Sequence, residues 1–174
     1  MTTTDHPVHW HEQLLFAERL ITEGKYAAAV EALRTLTRQA PTFGRAYSQL
    51  AWIYGFKFQK YKESEELYKR ALDYDPEYLP TYYQYAALLS MQRQFDALNS
   101  LIEQALTLEG INKGIILNEK AIMHELQGEY SQAIETYQES IRHLLEPREI
   151  DSCVSALQRC QRKMTIFGGT RVSD

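Results

Sequence analysis

Apolar residues recur along this chain with helical spacing. Leu14, Ala17, Leu20 and Ile21 fall at i, i+3, i+6 and i+7, and Ala29, Leu33 and Leu36 keep a similar spacing in the next segment. A period near 3.6 sustained over about 12–15 residues predicts amphipathic helices, each with one face turned to a core. Short polar stretches, "TEGKY", "FQKY", "QRQF" and "QGEY", separate the two segments of each unit. Gly24 and Gly128 lie in such stretches and suit a helix C-terminus, where a left-handed residue is needed. Pro41 and Pro76 stand after the second segment, where a helix cannot easily continue. The predicted unit is therefore helix–turn–helix.

The unit repeats. Tyr26, Tyr61, Phe95 and Tyr130 are separated by 35, 34 and 35 residues. Leu33, Tyr68, Ile102 and Tyr137 keep the same steps, as do Leu36, Ala71, Ala105 and Ser140. A column of small residues, Ala17, Ala51, Ala86 and Ala121, steps by 34, 35 and 35. It stands nine residues ahead of the aromatic column in three units and ten ahead in the second, which puts an extra residue in the turn "YGFKFQKY". At these residues the chain resembles the tetratricopeptide repeat family, whose period is about 34 residues. The best matches are "LAWIY", "GKYAAAVEAL", "KRALDYDP" and "GEYSQAIETYQESI". Departures are Leu36 where alanine is usual, Ser64 at the central alanine, "LEG" for "LDP" in the third unit, and Lys120 where leucine is usual. The resemblance implies an all-α, right-handed superhelical solenoid of four helix pairs, at about 9–42, 43–77, 78–110 and 111–146. No single pair can bury its own apolar face, so units stack. Ala156 continues the small column 35 residues after Ala121 and marks half a fifth unit, a capping helix over 147–164 entered at Pro147. Its apolar stripe is Ile150, Cys153, Val154, Leu157, Cys160 and Met164, and its other face, Gln158, Arg159, Gln161 and Arg162, is polar. Residues 165–174 are expected to form a disordered tail.

Composition narrows the function. Hydrophobic residues are 44% and charged residues 24%, an ordinary globular balance. A net charge of −4 argues against a reader of the phosphate backbone. No run approaches 18 apolar residues and the N-terminus has no basic-then-apolar signal, so neither a membrane span nor secretion is expected, and the expected location is the cytoplasm. "HE" occurs at His11–Glu12 and His124–Glu125, but a zinc protease needs a second histidine four residues after the first, where this chain has Leu15 and Gly128. His6, His9 and His11 lie close together without a supporting cysteine or carboxylate cluster, and are read as a solvated helix start with no metal. Cys153 and Cys160 are seven apart, about 10 Å along a helix axis, too far for a disulfide. A nucleophilic cysteine would need a histidine base such as His143 in the preceding helix. On an apolar stripe, both thiols are read as packing residues. No enzyme and no cofactor are expected.

The resemblance further implies that the first helices of successive units line a concave surface. Carried over, its positions are Leu14 and Glu18 in the first unit, and Ser48, Trp52 and Phe56 in the second. Tyr83, Ala87 and Met91 follow in the third, then Asn118, Ile122 and Glu125 in the fourth. Trp52 replaces a usually polar residue and is read as an aromatic anchor for a partner rather than a packing residue. Trp52, Phe56, Tyr83 and Met91 are expected to form one apolar strip flanked by Glu18 and Glu125, favouring a ligand with large apolar side chains and basic residues near its ends. The subgroup that clamps acidic C-terminal tails needs cations and amides where this chain has Leu14, Glu18, Gln49, Pro80 and Gln84, so a carboxylate clamp is not expected. The expected function is a non-catalytic adaptor holding an apolar or amphipathic segment of another protein. Two alternatives stand beside it. One is a chaperone-like holder of a hydrophobic secretion substrate; the other is a self-assembling subunit forming a homodimer through its C-terminal helix.

Overall fold

The computed structural model describes residues 7–167, and these are helical apart from turns. The helices are α1 (Pro7–Thr22), α2 (Tyr26–Gln39), α3 (Gly44–Trp52), α4 (Tyr61–Tyr74), α5 (Leu79–Met91), α6 (Phe95–Leu106), α7 (Lys113–Gln127), α8 (Tyr130–His143) and α9 (Pro147–Phe167). A π-helix, Ile53–Lys57, extends α3. The chain forms two compact units, residues 1–88 and 89–174, with the division inside α5.

In the first unit α1 packs on α2, α3 on α4, and α2 on α3. The small columns are fully buried: Ala17, Ala29, Ala51 and Ala71 are each 0% exposed, because helix axes approach most closely there. Leu33, Leu36, Leu50 and Ile53 form one core with Ala17 and Ala29. The same bond recurs one repeat apart: Tyr47 Oη donates to the Pro41 carbonyl and Tyr82 Oη to the Pro76 carbonyl, both at 2.9 Å. A helix start is thereby tied to the loop that feeds it.

The extra residue of the second unit lies inside the helix and not in the turn where the spacing placed it. The Phe58 amide donates to the Ile53 carbonyl at 3.1 Å, an i to i+5 bond, so the wider π turn absorbs one residue. Gly55 permits this, since a Cβ there would lie 2.7 Å from Ser64 Oγ. Ser64, the departure from alanine, donates to the Ala51 carbonyl at 2.7 Å just before the π-helix.

The expected left-handed residues are there: Gly24 has φ +73° and Gly128 +80°. The same conformation also occurs at Gln59 (φ 56°) and Arg93 (φ 55°), at steps of 35, 34 and 35. Four turns thus share one geometry, with glycine at only two of them.

In the second unit α6 packs on α7, α7 on α8, and α8 on α9. Asn112 caps α7, its Oδ1 accepting from the Ile115 amide at 3.3 Å. The centre of the α9 stripe packs on its own chain: Cys153, Ala156 and Cys160 are buried against Ala133, Tyr137 and Leu144, with Ile150 and Leu157 packed alongside. Met164 of the stripe stays exposed and Val154 half-buried, so the part of the stripe open to the expected homodimer contact is its outer edge. α9 also runs to Phe167, three residues past its expected end at 164, so the expected tail begins no earlier than 168, outside the described residues. No described helix is long and apolar enough to cross a membrane.

Candidate functional site

Trp52 ends α3, and the π-helix that follows decides its surroundings. In a π turn residues i and i+5 become neighbours. Lys57 Nζ accordingly sits 4.8 Å over the Trp52 ring and 5.1 Å over Tyr26. Phe56 lies 6.2 Å from Trp52 by ring centroids, and Tyr26 6.4 Å. Trp52 and Phe56 are half-buried, and Trp52 packs against the core of the first unit. The tryptophan is thus fixed on one side and open on the other, between the two readings its sequence allowed. The sequence reading missed Lys57, since an α-helical spacing turns i+5 away from i.

Beside this aromatic group runs a ladder of polar side chains. Gln49 Nε2 donates to Glu18 Oε1 at 3.2 Å, linking α3 to α1, and Ser48 Oγ donates to Gln84 Oε1 at 3.2 Å, linking α3 to α5. Arg45 lies 4.9 Å over the Tyr78 ring and its Nε donates to Asp75 Oδ2 at 3.1 Å. Burial, and then the Glu18 charge, push the Tyr78 hydroxyl above its ordinary range. The residues that failed the carboxylate-clamp pattern, Glu18, Gln49 and Gln84, are the ones that bond the helices together.

Several expected site residues belong to the core instead. Leu14 is 6% and Ser48 0% exposed. Each stands one turn before Ala17 or Ala51, on the side where helices approach most closely, so neither offers its side chain to a partner. Tyr83 and Ala87 are half-buried. In the second unit Met91 is exposed, Asn118 is half-buried, and Ile122 packs against the α7–α9 core. Asn118 and Ile115 of α7 line a cavity of about 250 Å³ with Leu144, Arg148, Glu149 and Ser152.

Glu125 is the largest correction. It is 7% exposed and receives four bonds from its own chain. Arg159 forks onto it, Nε to Oε1 and Nη2 to Oε2, both at 2.7 Å. Lys163 Nζ donates to Oε1 at 2.8 Å and Tyr137 Oη to Oε2 at 3.0 Å. These bonds, Arg159 first, hold its carboxyl down at about 2 against the desolvation that opposes them. The basic residues expected from a partner come from α9, and Arg159 is not a free member of a polar outer face.

The cysteines behave as packing residues. Burial raises the Cys153 thiol, which donates to the Tyr137 carbonyl at 3.6 Å, and burial and then the Glu125 charge push Cys160 up to about 11. Both thiols are therefore protonated at neutral pH. Among the metal-site candidates, His9 bonds Gln13 at 2.8 Å and His11 packs edge-on against Phe43, while His6 lies outside the described residues.

Residues 44–78 and 117–149 each match the tetratricopeptide repeat. No curated protein matches the sequence. Among solved structures the chain is similar to TTC0263, a thermophilic TPR protein of Thermus thermophilus, at TM-score 0.68 and 18% identity over 84% of this chain and 80% of that one. It is similar to pilF of Pseudomonas aeruginosa at TM-score 0.73 and 15% identity, covering 95% and 78%. YrrB, described as a TPR protein with an unusual peptide-binding site, gives TM-score 0.65 and 15% identity over 91% and 86%. At such identities the likeness speaks for the fold, an all-α helical-repeat solenoid, while the two sequence matches identify the repeat. The chain is a tetratricopeptide-repeat protein.

Proposed function

We propose that this chain is a non-catalytic adaptor that holds an apolar or amphipathic segment of a partner protein on the first unit, with Trp52 and Phe56 as its aromatic anchors. Tetratricopeptide repeats serve in general as protein-interaction scaffolds, and the finer reading rests on one observation. Trp52 is clamped between Phe56, Tyr26 and Lys57 while keeping part of its surface open. A fixed aromatic loses little entropy on binding, which is what makes such residues dominate interfaces. Glu18, Tyr83 and Ala87 complete the proposed surface, with Glu18 favouring a basic residue at one end of the ligand. Met91, Asn118 and Ile122 are proposed as partner contacts of the second unit. The same proposal divides the chain into repeats at about 9–42, 43–77, 78–110 and 111–146 and places it in the cytoplasm.

The test uses peptides selected from a random displayed library on the wild-type chain. Trp52→Ala is expected to weaken them by about 30-fold, the effect of losing an anchor worth about 2 kcal/mol. Because the ring is half-buried, stability should fall by about 1–2 kcal/mol, less than the 3–5 kcal/mol of a core tryptophan. Unchanged affinity, or a core-sized loss of stability, would show that Trp52 only packs.

A further inference from the structure

The α1–α2 hairpin exposes an apolar groove of about 470 Å³, and Phe16, Leu20, Ala28 and Ala32 supply its apolar lining. Repeat register shows what kind of surface this is. Phe16 occupies the position of Leu50 in the second unit and Tyr85 in the third, at steps of 34 and 35. Leu50 and Tyr85 are each 5% exposed, because the preceding hairpin covers them: Leu50 sits in the core with Leu33 and Leu36 of α2, and Tyr85 stacks on Tyr68 of α4 at 5.1 Å. Phe16 is 55% exposed and its neighbour Leu15 64%. An apolar residue built for a hairpin-to-hairpin interface here faces open space among the described residues.

We propose that a second copy of this chain covers this groove, the two α1–α2 hairpins meeting about a two-fold axis. The rim carries both signs of charge on one helix: Glu31 lines the groove, and Arg38, two turns on, bonds Thr35 Oγ1 at 3.0 Å beside it. A two-fold axis near Thr35 sets Glu31 of each copy against Arg38 of the other, the self-complementarity an isologous contact requires. A partner of single-sign charge would find half of this rim repulsive. In α9 the centre of the stripe, Cys153 and Cys160, is already buried against α8, whereas Phe16 has no such cover, so this face takes the second copy.

Sedimentation equilibrium on the full chain should give a mass rising with concentration toward about twice 20.3 kDa. Phe16→Arg should weaken the dimer by at least about 30-fold while leaving the helical circular-dichroism spectrum and melting profile of the monomer intact. Glu31→Arg and Arg38→Glu should each weaken it, and the double reversal should restore it. A wild-type chain that stays monomeric throughout, a Phe16→Arg chain that still dimerises, or a double reversal that restores nothing overturns the proposal. So does a dimer abolished by Ile166→Asp with Phe167→Asp but not by Phe16→Arg, since those exposed residues end α9.

Discussion

Glu125 has the ordinary sequence context of a helix-surface glutamate, yet it is the most heavily bonded side chain described in the second unit. Its bidentate pair with Arg159 is charge-assisted on both arms, and Lys163 and Tyr137 use its remaining lone pairs. Four donors offset the cost of burying the charge; with fewer, burial would be a net loss. The sign of the pH effect follows. A carboxyl at about 2 when folded and 4.5 when unfolded stabilises the fold fully above about pH 4.5, and that stability is lost as pH falls toward 2. Denaturant titrations between pH 7 and pH 2.5 should show a loss of about 2–3 kcal/mol that Glu125→Gln lacks, the variant being weaker at pH 7 and flatter in acid. A variant with the wild-type acid profile would assign the acid sensitivity to other carboxylates.

The turns are the elements where sequence and conformation disagree. Gln59 and Arg93 adopt the left-handed geometry that Gly24 and Gly128 adopt without a Cβ clash. That conformation costs an L-residue about 1–2 kcal/mol, against which glycine's extra unfolded-state entropy sets about 0.4–1 kcal/mol. Gln59→Gly and Arg93→Gly should therefore each raise stability by about 0.5–1 kcal/mol, measured by thermal or denaturant unfolding. Lower stability in both would mean that their side chains contribute more than the turn geometry costs. Gly44 makes the opposite case. It opens α3 against the end of α4, and a Cβ there would lie 2.7 Å from the Ala71 carbonyl oxygen and 2.6 Å from Asp75 Cβ. Gly44→Ala should cost about 1–3 kcal/mol through forced separation of the two helices. An unchanged melting temperature would show that the α3–α4 contact yields freely.

At the scale of the whole molecule, α9 covers the last helix pair among the described residues. It supplies the stripe that covers α8 and the two cations that neutralise Glu125. Removing residues 147–174 should expose Ala133, Tyr137 and Leu144 and leave a buried carboxylate without its cations. The truncated chain should then aggregate or associate beyond the full-length state and melt at lower temperature. Light scattering and calorimetry on the two chains decide this. Equal association state and equal melting temperature would remove α9 from the role of a cap.

By itself the sequence determined the helices, the pairing of α1 with α2, α3 with α4 and α7 with α8, and the four-member columns, because each is written in local periodicity and in side-chain size. Ala17, Ala51, Ala86 and Ala121 could be placed in the core from spacing alone, since only small residues suit the closest approach of two helices. Tertiary structure decided everything that depends on which neighbour arrives. Helical period marks the apolar face of α3 but not the π turn that rolls Lys57 over Trp52, a change of one residue in hydrogen-bond register. It places Leu14 and Ser48 on the first helices of their repeats without telling that neighbouring helices leave both side chains buried. It could not assign Arg159 to Glu125, 34 residues away, because that bond exists only once α9 has docked across α7 and α8.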